Sequence, residues 1–211
     1  MIQTQTLYLL FSPALCANEP WATLRGALAG GVDLVQWRTP TADAEGAARC
    51  LAICRAAGVP MIVNDHVELA VALGAAGAHV GQTDLPARRA RAMLRPGQWL
   101  GVSTHDLEQV STAIADGADH LGFGPMFATA TKGYRHGLPA GALRAALAAS
   151  RVPIWPIGGI DAHRIPLVLA EGARRVAVSS AILRAADPRG AAAELRAALA
   201  GGAHDNSIAS P

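Results

Sequence analysis

The sequence predicts a parallel (β/α)8 barrel, and three of its features point there. Short apolar runs recur along the chain at 7–11, 31–38, 58–65, 77–84, 98–104, 117–124, 153–159 and 172–180. Alanine-rich stretches with helical spacing, such as "AEGAARCLAICRAA" and "LEQVSTAIAD", separate them. Five of the runs open on a glycine, the residue that ends a helix in the left-handed conformation. Helix, glycine cap and short strand in strict alternation imply a parallel sheet with right-handed crossovers. Eight such units favour closure into a barrel over an open doubly wound sheet, the alternative arrangement.

Each run is apolar inside and changes character at its exit. "LYLLF" is apolar throughout, whereas "GVDLVQWR" ends in Gln36 and Arg38, which share one face because strand side chains alternate. "GVPMIVND" ends in Asn64 and Asp65, and "GAHVGQTD" in Gln82 and Asp84. "QWLGVST" yields Ser103 and, just beyond it, His105; "GADHLGFG" opens through Gly124 into a long loop. "PIWPIGG" ends on Gly158 and Gly159, and "GARRVAVSS" on Ser179 and Ser180. In a barrel of this kind the C-terminal ends of the strands form the working rim. Polar exits converging there are more than loop solvation requires.

The composition narrows the function. A chain of 211 residues with a net charge of +2 lacks the concentrated basic patch of a nucleic-acid binder. Arg88, Arg89 and Arg91 read as a solvated helix face. No apolar run approaches the ~18 residues of a membrane span, and no basic leader precedes the first apolar run. Cys16, Cys50 and Cys54 fit free thiols in a cytoplasmic protein. The barrel is expected over 1–200, with 201–211 a flexible tail. Trp21, Trp37, Trp99 and Trp155 are expected between barrel and helices. His79, His120 and His163 are expected away from the working rim. The sequence leaves assembly into a homo-oligomer open.

Asp65 and Asp84 end neighbouring strands and could together hold one hard cation such as Mg²⁺, which takes one or two carboxylates and completes its shell with water and phosphate oxygens. Gly158–Gly159 and Ser179–Ser180 suit an anion cup, with backbone N–H groups free to approach and hydroxyls to donate. The loop 124–141 adds Thr129, Thr131 and Lys132, with Gly133 and Gly137 as hinges.

With "VQWR", "VND", "HVGQTD", "GVSTH", "GFGPMFATATK", "PIGGI" and "AVSSAI" in this order, the chain resembles the thiamine phosphate synthase family, which also contains thiazole tautomerases. The resemblance runs from about Leu7 to Leu199. It implies a transferase that couples a pyrimidine diphosphate to a thiazole phosphate and releases diphosphate, with Mg²⁺ as cofactor and these small molecules as its partners. It assigns Gln36, Arg38, Asn64, Ser103 and Lys132 to the pyrimidine diphosphate, with Ser103 and Lys132 serving the chemical step. Asp65 and Asp84 would bind Mg²⁺, and Thr129, Thr131, Gly159, Ser179 and Ser180 the thiazole phosphate.

Two positions depart from the family pattern, which runs Gln-x-Arg-x-Lys where this chain has Pro40 and Asn-Asp-Arg where it has His66. Mg²⁺, Arg38 and Lys132 still supply about four positive charges against roughly three negative. Arg135 or His136 could stand in for a lost cation. A tautomerase would keep the phosphate cup, with His105, His66 or His136 carrying the proton, but has no use for the carboxylate pair. A third reading is a relative that binds a phosphate ligand without turning it over.

Overall fold

A computed structural model of the chain describes residues 2, 4–128 and 135–201. The eight strands are β1 (Leu7–Phe11), β2 (Leu34–Trp37), β3 (Met61–Asn64), β4 (Gly77–Val80), β5 (Trp99–Thr104), β6 (His120–Phe123), β7 (Ile154–Pro156) and β8 (Val176–Val178). They lie in one sheet of order β7-β6-β5-β4-β3-β2-β1-β8, parallel at each pairing. A parallel bridge between Ile157 and Ala177 joins its two edges and closes the barrel. The helices are α1 (Pro20–Ala29), α2 (Ala44–Ala56), α3 (Val67–Leu73), α4 (Ala87–Met93), α5 (Leu107–Ala115), α6 (Ala142–Ala149), α7 (Ile165–Ala170), α8 (Ser180–Leu183) and α9 (Pro188–Gly201).

Strand alternation divides the core in two. Leu7, Leu9 and Phe11 of β1 face outward into the layer between sheet and helices, with Val35 and Trp37 of β2. Tyr8 and Leu10 face inward with Leu34, Ile62, Trp155 and Ala177. Trp37 lies where the sequence suggests, stacked on Trp21 with ring centroids 6.1 Å apart. Trp155 and Trp99 do not: Trp155 stands inside the barrel and Trp99 packs against the same inner cluster. The alternating pleat of β5 and β7 sends them inward, against Leu34 and Ile62.

Most of the expected glycine caps are present, with φ of 105° at Gly31, 69° at Gly58, 91° at Gly117 and 101° at Gly172. The fourth unit differs. Gly74, at φ 60°, ends α3, while Gly77 is already in β4, where a Cβ would lie 2.0 Å from the Trp99 carbonyl oxygen. Helix α9 runs through Gly201, the first residue of the expected tail; residues 202–211 lie outside those described.

Candidate active site

The C-terminal ends of the strands open into a cavity of about 940 Å³, its open mouth included. Gln36, Arg38, Asn64, Ser103, His105, Gly124, Gly158, Gly159, Ser179 and Ser180 all line it. Most of the rim read from the strand exits is therefore brought together around one space, while Asp65, Gln82 and Asp84 are not among the lining residues. Thr129, Thr131 and Lys132 lie outside the described residues. The segments on either side of them are anchored at the mouth. Met126 and Phe127 donate to the Ile157 and Gly158 carbonyls at 2.8 and 3.0 Å, and Leu138 donates to the Pro125 carbonyl at 2.8 Å.

Deeper in, the wall is more polar than the sequence suggests. Gln36 is almost fully buried in the barrel interior, and its Nε2 donates to the Tyr8 hydroxyl at 2.7 Å. That bond leaves the Gln36 Oε1 without a hydrogen-bond partner among the described residues. Burial pushes the Tyr8 hydroxyl far up, so it stays protonated.

His79 corrects the sequence reading. It lines the cavity, with its Nε2 2.9 Å from Ser103 Oγ. The residue is third in β4 and shares the inward face with Gly77, which puts it beside Asn64 of β3 and Gly101 of β5 in register. His120 of β6 takes the other side of Gly101. It is likewise turned into the barrel, fully buried against Tyr8, His79 and Trp155. A Cβ on Gly101 would lie 2.3 Å from both His79 Nδ1 and His120 Nε2, so glycine makes room for the two imidazoles. Burial, helped by His79 and Arg175, holds the His120 imidazole well below its usual range, and it is neutral. The signal that could have revealed His79 was its spacing. Gly101 and Ser103 alternate on β5, small and inward-facing, and a large residue on a neighbouring strand must fill that space. His163 is exposed in the loop between β7 and α7, at the same end of the barrel as the rim rather than away from it, but it does not line the cavity.

Asp65 and Asp84 face each other beside Arg38, which lines the cavity although they do not. Asp65 has φ 60°, a conformation that non-glycine residues rarely adopt and that clusters at functional sites. Its N–H donates to the His79 carbonyl at 2.8 Å, which fixes the turn. The Asp65 carboxyl is pushed up to about 6, first by burial and then by hydrogen bonding and charge from Asp84, with Arg38 and His66 pulling it back. Asp84 is exposed and accepts from the Gly81 N–H at 2.8 Å. Among the described residues no three His, Cys, Asp or Glu gather as a metal cage. Two facing carboxylates open to solvent are instead the sparse oxygen set that Mg²⁺ prefers, and a divalent cation would relieve their repulsion.

Across the barrel, Gly158 and Gly159 have φ of 101° and 64°, and a Cβ on Gly158 would lie 2.8 Å from Pro125. No other residue fits this turn without strain. Ser179 and Ser180 face it from the end of β8. Here the structure refines the sequence reading, because the Ser179 hydroxyl donates to the Leu10 carbonyl at 3.1 Å. Its lone pairs, not its proton, face other groups. His105 is fixed by its Nδ1, 2.5 Å from the Gly124 carbonyl. Pro40 and Arg135 are exposed, and His66 starts α3 with its Nε2 buried.

The family model described as Thiamine monophosphate synthase matches residues 7–182. The chain belongs to this family. It is 43% identical over 178 residues to a thiamine-phosphate synthase of Synechococcus sp., covering 82% of this chain and 50% of that protein. It is also 43% identical over 197 residues to the thiamine-phosphate synthase of Moorella thermoacetica, covering 90% and 93%. The chain thus spans about half the length of its cyanobacterial relatives and nearly all of the Moorella one. Among solved structures, thiamine phosphate pyrophosphorylase from Pyrococcus furiosus superposes with a TM-score of 0.84 at 29% identity, over 94% of this chain and 96% of that one. Among the described residues, no helix is long and apolar enough to cross a membrane.

Proposed function

We propose that the chain couples 4-amino-2-methyl-5-(diphosphooxymethyl)pyrimidine to thiazole phosphate, giving thiamine phosphate and diphosphate, the activity its relatives are named for. One observation carries this reading: the acidic pair Asp65 and Asp84 stands beside Arg38 and next to Asn64, both of which line a cavity that Gly158–Gly159 and Ser179–Ser180 also line. A diphosphate with its metal and a monophosphate could thus be bound at opposite sides of one space. A tautomerase would need only the second.

Mg²⁺ held by Asp65 and Asp84 would offset charge on the diphosphate. The chain's own side chains do the rest. Arg38 and Lys132 pair with diphosphate oxygens, and Asn64 holds the same group by hydrogen bonds. Gln36 Oε1, left open by the bond of its Nε2 to Tyr8, accepts from the pyrimidine amino group. Ser103 contacts the pyrimidine diphosphate with its hydroxyl oriented by His79. Thr129, Thr131 and Ser180 hold the thiazole phosphate with their hydroxyls and Gly159 and Ser179 with the backbone, since the Ser179 hydroxyl is committed to Leu10. The thiazole ring nitrogen faces the pyrimidine methylene.

As the methylene C–O bond breaks, its electron pair leaves with diphosphate and the methylene carbon becomes cationic. The thiazole nitrogen then donates its pair to that carbon, forming the C–N bond. No protein nucleophile is required. The barrier falls by preorganised positive charge on the leaving group and by alignment of the two heterocycles. We place the activity in the cytoplasm, which suits Cys50 and Cys54: the thiols hydrogen-bond each other yet remain free.

The deciding experiment measures diphosphate release from the two substrates with and without Mg²⁺. Metal-dependent release is expected. No release at saturating Mg²⁺ overturns the proposal, and metal-independent isomerisation of thiazole carboxylate phosphate would put a tautomerase in its place.

A further inference from the structure

We propose that Arg164 is a positioning residue for the phosphate-binding turn, aiming the Gly159–Ile160 peptide and tying it to the root of the strand-6 loop. The inference rests on the reading that this turn holds the thiazole phosphate. Arg164 Nη1 donates to the Gly159 carbonyl oxygen at 2.6 Å. The peptide that follows is trans, as every described peptide bond but Gly124–Pro125 is. In a trans peptide the C=O and the next N–H point in opposite directions. A guanidinium holding the Gly159 oxygen on one side therefore fixes the Ile160 N–H on the other, and both residues line the cavity.

The same guanidinium lies over the Phe127 ring, 5.1 Å from its centroid. The turn and the loop root already meet there backbone to backbone: a Cβ on Gly159 would lie 2.7 Å from the Ala128 carbonyl oxygen. Arg164 is held in turn by its own N–H, which donates to Asp161 Oδ1 at 3.0 Å. Its charge pairing with Asp161, 3.8 Å at the exposed surface, adds little. Glycine at 158 and 159 makes this turn compliant, and Arg164 restores the single orientation that an anion needs.

The test is steady-state kinetics on the full chain. Arg164→Ala is expected to raise KM for the thiazole phosphate about tenfold, the scale of one misdirected hydrogen bond. KM for the pyrimidine diphosphate and kcat should stay within about twofold. Arg164→Lys, which keeps a donor for the carbonyl but loses the planar stack on Phe127, should recover part of the loss. Asp161→Asn should leave both constants unchanged. An unchanged thiazole phosphate KM in Arg164→Ala, or an equal rise in both KM values, overturns the inference even if the melting temperature falls. If the native chain releases no diphosphate, the reaction assignment fails by itself. Inorganic phosphate binding, measured by calorimetry, then decides for Arg164, with a tenfold weakening supporting it and equal affinity refuting it.

Discussion

At the N-terminal end of the barrel, Asp33 and Asp119 hold the same place in two of the glycine-led repeats, one residue before β2 and β6. Asp33 accepts from the backbone N–H of Leu7 at 2.8 Å and of Thr6 at 2.9 Å, and is paired with Arg196 of α9. Asp119 accepts from the Leu100 N–H at 2.7 Å and is paired with Arg91 of α4 at 2.9 Å. Each carboxylate ties its strand to the preceding strand and to a helix, and its charge is met within the protein. At the C-terminal end, Asp65 and Asp84 face each other, and Asp65 is pushed up to about 6 by burial and by its neighbour. The same residue type is therefore satisfied at one end and frustrated at the other. In a barrel enzyme that asymmetry separates what holds the fold from what awaits a ligand.

The largest effect should come from the frustrated end. Asp84→Asn removes half of the acidic pair while keeping size and exposure. Diphosphate release at saturating substrate is expected to fall by about a hundredfold or more, the scale of losing one electrostatic stabiliser of a developing anion. Steady-state turnover across a Mg²⁺ titration checks this. Turnover and Mg²⁺ dependence like those of the native chain would show that the pair does not serve the metal.

The satisfied end should respond in the opposite sense. Asp119→Ala strands the Leu100 N–H and leaves the Arg91 guanidinium with its bond to the Gln98 carbonyl but no carboxylate partner. The expected cost is about 1–3 kcal/mol of stability. For a chain of this size that is a fall of roughly 3–10 °C in Tm. The value of kcat/KM per folded molecule should not change. A loss of activity without a loss of stability would break the comparison.

How far this division was legible in the sequence depends on how local each signal is. The eight strands and the polar exits depend on short-range patterns, alternation and glycine caps, so they could be read without the fold. Gln36 and Ser103 were found because a polar residue ending an apolar run is conspicuous. His79 was misplaced because its role depends on register: only with His79 opposite Gly101 does its ring reach Ser103. Trp155 was misplaced for a related reason, since a three-residue strand does not show which face is inward. The single cap that moved, from Gly77 to Gly74, did so because either glycine satisfies the spacing and only the pairing of Gly77 with Ile62 and Trp99 shows that it belongs to the strand. Asp33 and Asp119 were visible as a repeated Gly-x-Asp, but their partners Arg196 and Arg91 lie far along the chain.

The smallest effect, and the one that separates the two ends most directly, is the pH dependence of stability. A carboxyl whose folded pKa of about 6 exceeds its unfolded value of about 3.9 binds its proton more tightly in the native state. Its contribution is therefore fully present below about pH 4 and lost as pH rises through about 6. The metal-free protein should show a shallow decline in Tm over that window, beyond what other groups impose. Asp84→Asn removes the repulsion from its neighbour and should make the decline shallower, leaving the part that burial causes. Mg²⁺ should stabilise the native chain more at pH 7 than at pH 5, because only the ionised pair attracts it. Thermal melts at both pH values, with and without Mg²⁺, give the four numbers needed. Equal stabilisation by Mg²⁺ at the two pH values would mean that the acidic pair is not where the metal binds.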